Sequence, residues 1–255
     1  MDNKGLNRRN FFIRALQASS LLALAGCDNL SRSEWFSELL GRTEGLTKRA
    51  QRTLTARRAM AREYVDADRS EKFPANGNTD VADAGYRALA AGGFADWRLE
   101  VGGLVRQPIA LSLETLRSLP SRTQITRHDC VEGWSAIAKW KGVPLREVLG
   151  RVEPMPDARY VVFHCADTDD EAVPYYESVD FDDAYHPQTI LAYEMNEAPL
   201  PIPHGAPIRL RVERQLGYKQ AKYIMRIQLV ESFADLAGGH GGYWEDQGYE
   251  WYAGV

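Results

Sequence analysis

The sequence is poor in cysteine, with three in 255 residues. That excludes a disulfide scaffold, and each cysteine has to be read on its own. It has no Cys-x-x-Cys-His, which excludes haem attached within the chain through that motif. No apolar run reaches the roughly 18 residues that a membrane-spanning helix needs. Positive charge is not in excess either. Thirty-one Lys and Arg stand against 35 Asp and Glu, the net charge is -4 and the sequence pI is about 5.8. Nucleic acid is therefore not an expected partner, and an anionic ligand would need a local basic cluster. With 44% hydrophobic and 26% charged residues, the chain has the composition of one large globular domain, or a domain with an extension.

The first 27 residues read as an address. Arg8-Arg9-Asn10-Phe11-Phe12 is a twin-arginine stretch, and an apolar run from Ala15 to Gly26 follows it. Gln17, Ser19 and Ser20 interrupt the run, which is too short to span ~30 Å of hydrocarbon. It fits the apolar region of a twin-arginine export signal. Leu24-Ala25-Gly26-Cys27 resembles a bacterial lipobox, which implies that Cys27 is acylated and becomes the first mature residue. Asp28 after it resembles lipoproteins kept at the inner membrane, so the expected location is the periplasm, anchored to that membrane.

Residues 28–70 read as a helical tether, basic between Arg42 and Arg62 and carrying a weak leucine stripe. Residues 71–255 read as the main domain. Asp66 to Asp80 is loop-like, with Pro74, Asn76, Gly77 and Asn78 clustered. Period-two alternation begins at Trp97, Leu99 and Val101. It returns at Ile208, Leu210 and Val212, and further strands are expected at Arg159–Cys165 and Tyr223–Val230. Ser112 can cap a helix that buries Leu113, Leu116 and Leu119, and Pro144 to Leu149 can form another, closed by Gly150. The fold class is α+β, rich in strand, without regular βαβ alternation. Gly238 to Val255 is rich in glycine and aromatics; such a tail lines a funnel, docks a partner or packs over the domain.

His128-Asp129-Cys130 and His164-Cys165 hold both cysteines of that domain. Three readings compete: a Cys130–Cys165 disulfide, a zinc or copper site using His128 and Cys130, and a functional thiolate at one cysteine. His164 and Cys165 point to opposite faces of a strand, so the spacing falls short of a four-ligand metal site.

A wider set of motifs carries a family resemblance. Thr126-Arg127-His128-Asp129-Cys130-Val131-Glu132-Gly133-Trp134-Ser135, followed by Trp140-Lys141-Gly142-Val143-Pro144-Leu145, resembles the molybdenum-binding segment of the sulfite oxidase superfamily. Cys-Val-Glu-x-Trp-Ser within it is similar to the periplasmic protein-methionine-sulfoxide reductase catalytic subunits. His186-Pro187-Gln188-Thr189, Pro203-His204-Gly205-Ala206-Pro207-Ile208-Arg209-Leu210 and Gly217-Tyr218-Lys219-Gln220-Ala221-Lys222 extend it. The resemblance implies a sulfite-oxidase-like fold and one molybdopterin per molybdenum. It implies Cys130 as the protein's metal ligand and catalytic residue. It further implies cofactor contacts from Asn76, Cys165, His204, Arg209, Gln220, Ala221 and Lys222. Cys165 stands where the reductases have threonine, and His204 where they have asparagine.

Arg209, Arg211, Arg214, Lys219 and Lys222 form the densest basic cluster of the domain. Arg209 and Lys222 are the expected holders of the cofactor's phosphate. Arg211 and Arg214 are expected at the surface, with Arg211 facing away from Arg209. Sulfite oxidases resemble Cys-x-Gly-Asn-Arg after the ligand, whereas this chain has Trp134 and Ser135 there, so a sulfite dianion loses a positive partner. The expectation is oxygen-atom transfer on a small or oxidised-sulfur substrate, more as an S-oxide or N-oxide reductase than as a sulfite-oxidase-type dehydrogenase. Electrons would pass to or from a separate haem protein, a membrane b-type or periplasmic c-type cytochrome.

Overall fold

The computed structural model describes residues 48–53 and 59–255. The arginine pair, Cys27 and most of the expected tether lie outside the described residues. The chain divides into two compact units, Met1–Leu54 and Thr55–Val255. In the first, residues 48–53 are helical. No helix among the described residues is long and apolar enough to cross a membrane.

The second unit is built mainly of strands. In chain order they are β1 (Arg98–Gly103), β2 (Ile109–Ser112), β3 (Arg122–Asp129), β4 (Ser135–Pro144), β5 (Tyr160–Thr168), β6 (Pro174–Asp180), β7 (Ile190–Met195), β8 (Ala198–Pro199), β9 (Arg209–Arg211) and β10 (Ile224–Val230). The helices are short: α1 (Ala84–Ala91), α2 (Leu113–Ser118), α3 (Leu145–Val152), α4 (Phe181–Ala184) and α5 (Tyr243–Asp246). One sheet has the order β2-β1-β10-β5-β6, antiparallel except for the β1–β10 pair. The other runs β3-β4-β7-β8, and β9 also pairs with β7. The α+β expectation holds.

One core joins the two sheets. Leu99, Val101, Val161, Phe163, Ile227 and Leu229 from the first meet Val143, Leu191 and Leu210 from the second. On β1 the pattern is the expected alternation: Leu99 and Val101 are buried and Arg98 and Glu100 exposed. On β7 almost every residue is buried, because both of its faces are covered. At Gly142 the β4–β7 register shifts, and a Cβ there would stand 2.2 Å from the Leu191 carbonyl oxygen. Only glycine permits that approach.

Ser112 caps α2 as expected, accepting a hydrogen bond from the Thr115 amide at 3.0 Å, and Leu113, Leu116 and Leu119 are buried. The second helix differs from expectation. It runs to Val152 through Gly150 and ends at Glu153, whose φ is +50°. Leu145, Val148, Leu149 and Val152 form a fully buried i, i+3, i+4, i+7 stripe, and burying Val152 outweighs the ~1 kcal/mol that glycine costs inside a helix.

Candidate active site

Strands β3 and β4 form a hairpin, and Cys130 sits at its tip. The Cys130 amide donates to the Trp134 carbonyl at 2.9 Å and the Gly133 amide to the Cys130 carbonyl at 3.0 Å. This closed turn aims the thiol inward, and Cys130 is 7% exposed. Asn76, from the loop before α1, donates its side-chain amide to the sulfur at 3.1 Å. Beside it, Phe73 touches the rings of His128, Trp134, Trp140 and His204, with centroids 5.4–6.2 Å apart. The apolar cluster fixes the loop that carries Asn76.

Behind the thiol lies a cavity of about 360 Å³. Asn76, Cys130, His204, Arg209, Gln220 and Lys222 all line it. Cys165 and Ala221 are not among the lining residues: Cys165 packs partly buried against the main core and Ala221 is 1% exposed. Cys130 and Cys165 are both free thiols. Burial, then Asp167, pushes the Cys165 thiol well up. Among the described residues no group of three or more His, Cys, Asp and Glu is placed to hold a metal ion, which counts against a zinc or copper site built on His128.

The floor of the cavity carries two cations, Arg209 and Lys222, with the buried carboxylate of Asp167 nearby. Arg209 is 4% exposed, its guanidinium 5.2 Å from the Trp140 ring centre. Its terminal nitrogens donate to the carbonyls of His204 and Gln220, at 3.2 and 3.4 Å, and its buried Nε has no partner. The buried Gln220 Oε1 is also unpartnered. Lys222 Nζ donates to the carbonyls of Asn76 (2.7 Å), Pro203 (3.2 Å) and Asn78. Burial and Arg211 push Arg209 down to about 9, and burial and Arg209 push Lys222 down to about 7. Burial, with Arg209 and Lys222, pushes His204 down to about 4. Arg209 and Lys222 donate hydrogen bonds to carbonyls alone, and this leaves them able to take an incoming anion as a further acceptor.

Two basic residues, Arg211 and Arg214, are placed differently from the sequence reading, and Lys219, near them in the sequence, is also buried. Arg211 is fully buried, Arg214 is 8% exposed and Lys219 is fully buried. Residues 209 and 211 are two apart on one strand, so they share a face, and Arg211 lies 4.5 Å from the same Trp140 ring. Arg211 grips Glu213 through two hydrogen bonds of 2.9 and 2.6 Å. Its remaining nitrogen meets His128 Nδ1 at 3.0 Å. Guanidinium only donates, so Nδ1 accepts and neutral His128 carries its proton on Nε2. Burial, with Arg211 and Arg209, holds His128 well below the usual histidine range. Gly217 makes room for this ring: a Cβ there would lie 2.5 Å from Nε2.

The mouth has opposite character. Glu132 and Asp170 are exposed and Asp169 is half-buried, and all three line the opening. The aromatic wall comes largely from the C-terminal segment. Trp244 and Tyr249 lie 5.2 Å apart, and Tyr218 stands edge-on to Tyr249 at 5.3 Å. Tyr243 donates to Asp169 at 2.8 Å. A buried cluster fastens this wall: Lys219 on the turn after Gly217 donates to Glu177 of β6 and to Glu245 of α5. Burial alone would lower Lys219, and the two carboxylates raise it instead. Burial, with repulsion from Glu245, pushes Glu177 well above the usual carboxylate range. The sequence reading missed Phe73 and this cluster. A glutamate within the strand pattern of β6 was the one signal for it.

The family model of the oxidoreductase molybdopterin-binding domain matches residues 89–235, and the chain belongs to that family. It is a molybdenum-dependent oxidoreductase of the sulfite oxidase class with molybdopterin as its cofactor. A putative protein-methionine-sulfoxide reductase subunit, YedZ1, from Azospira oryzae is 39% identical over 247 residues, covering 97% of this chain and 87% of that one. The protein-methionine-sulfoxide reductase catalytic subunit MsrP of Xanthomonas axonopodis pv. citri is 40% identical over 155 residues, 56% of this chain and 48% of that protein. The chain thus spans about half the length of that catalytic subunit. Among solved structures, the sulfane dehydrogenase SoxCD of Paracoccus pantotrophus gives a TM-score of 0.49 at 22% identity, over 54% of this chain and 39% of that one.

Proposed function

We propose that the chain is an exported, lipid-anchored reductase of S-oxides or N-oxides, fed with electrons by a separate haem protein. The observation that carries this reading is a cavity in which a shielded cysteine sulfur lies with buried cations and unsatisfied polar atoms. When bound, the cofactor supplies two-electron oxygen-atom transfer at molybdenum. Cys130 supplies the soft thiolate for the metal, and the Asn76 amide steadies its negative charge. Arg209 and Lys222 take the phosphate, helped by Gln220 and the backbone of Ala221. His204 faces the pterin. Cys165, behind the cavity, acts through packing.

The names of the relatives point to methionine sulfoxide in proteins as substrate. The mouth supports a neutral sulfur oxide over a sulfite dianion. Ser135 stands where sulfite oxidases place arginine, and its hydroxyl is held by Asp129. Glu132 and Asp170 repel an anion at the entrance. The haem partner is a membrane b-type or periplasmic c-type cytochrome, met at the inner membrane to which acylated Cys27 tethers the enzyme.

Purified protein should carry about one molybdenum per chain by metal analysis, and should reduce methionine sulfoxide with reduced viologen dye as electron donor. Zinc or copper in place of molybdenum, or sulfite oxidation without sulfoxide reduction, overturns the reading.

A further inference from the structure

We infer that the mouth of the cavity docks a polypeptide through cationic side chains flanking its reacting residue. This rests on reading the cavity as the site of sulfoxide chemistry, and goes beyond it by assigning a charge preference. Of the cations that line the cavity, Arg209 is 4% exposed, and half-buried Lys222 is turned onto three carbonyls. The two fully exposed charges among the lining residues, Glu132 and Asp170, are both negative, and half-buried Asp169 adds a third carboxylate.

The same lining carries partly exposed aromatic rings. Trp244 is 37% exposed and Tyr249 39%, and no cation lies over either ring among the described residues. Aromatic faces beside carboxylates attract lysine and arginine by cation–π contact and by charge together. The wall is a built feature, because a fully buried lysine and two buried glutamates hold the helix that carries Trp244. A side chain that enters the cavity brings its neighbours in sequence onto this rim. The flanking residues of a polypeptide substrate are therefore the groups that meet it.

Binding is tested first, without turnover, on the molybdenum-loaded protein. Two heptapeptides carry a central unoxidised methionine flanked by two lysines or by two glutamates, and tryptophan fluorescence follows their titration. An exposed charge contact is worth about a two- to fivefold effect, so the lysine peptide should bind about tenfold tighter at low salt. The ratio should shrink toward one at about 0.5 M salt, where screening is short-ranged. The double variant Glu132→Gln with Asp170→Asn should bring the two affinities together, and Trp244→Leu should weaken the lysine peptide alone. Equal binding, preference for glutamate, or a preference that survives the double variant overturns the inference. The same peptides as sulfoxides should be reduced in the same order. If neither these nor free methionine sulfoxide is reduced, the functional reading fails, while the titration still decides the docking.

Discussion

At the residue scale, two changes separate ligand from support. Cys130→Ser is expected to abolish sulfoxide reduction, while pterin, read by fluorescence after oxidation, stays bound through the cationic floor. Arg209→Ala should give folded protein with low molybdenum, because losing a charge-assisted bond costs about 1.5–3 kcal/mol, roughly 10- to 150-fold in affinity. Arg159→Ala, at an exposed position, removes the same charge and should keep full occupancy. Equal metal content in the two variants removes Arg209 from the phosphate site. Arg211 is no substitute as control: deleting it strands buried Glu213, a loss of about 3–5 kcal/mol. His204 gives a pH signature. Its folded value of about 4 lies below the ordinary 6.5, so the unfolded chain takes up the proton first. Its contribution is intact above about pH 6.5 and is lost as the pH falls toward 4. In cofactor-free protein, His204→Asn should flatten the fall in Tm across that window. An unchanged profile removes His204 as a cause.

At the element scale, what was legible followed from periodicity and caps. The α2 cap and its three leucines, and the alternation of β1, were readable because each is a local pattern with one dry face. Ser112→Ala should cost about 1 kcal/mol in denaturant unfolding and leave molybdenum content unchanged. A loss well below that means the hydroxyl bond to Thr115 contributes little. Strand β9 was legible as a strand but not in its burial. Arg-x-Arg beside apolar residues has the form of a solvated face, and only the third dimension supplies Glu213, Trp140 and the cavity that make burial tolerable. The Gly150 misreading has a similar origin: a local stop signal was overridden by a valine that packs one turn further on.

At the scale of the whole molecule, the motif around Cys130 located the cavity, and Asn76, His204, Arg209, Gln220 and Lys222 converge there across 146 residues of sequence. The wall of the mouth was not legible, because a Gly-rich aromatic tail has no period and its anchor is a tertiary ion cluster. The address is the other whole-molecule property, and it rests on the first 27 residues alone. The apolar run is too short to hold a bilayer by itself, so on the proposed reading the anchor is the acyl chains of Cys27, at about 0.8 kcal/mol per buried CH₂. Cys27→Ser should therefore move the protein from the membrane fraction to the soluble periplasm with its molybdenum and reductase activity intact. Replacing Arg8 and Arg9 with lysine should leave it inside the cell, since the paired guanidiniums are what the export route reads. The two variants fail in different compartments, which distinguishes loss of anchor from loss of export. If Cys27→Ser fractionates with the membrane like the parent, the lipobox assignment is wrong, and if the lysine pair is exported normally, the twin-arginine assignment is.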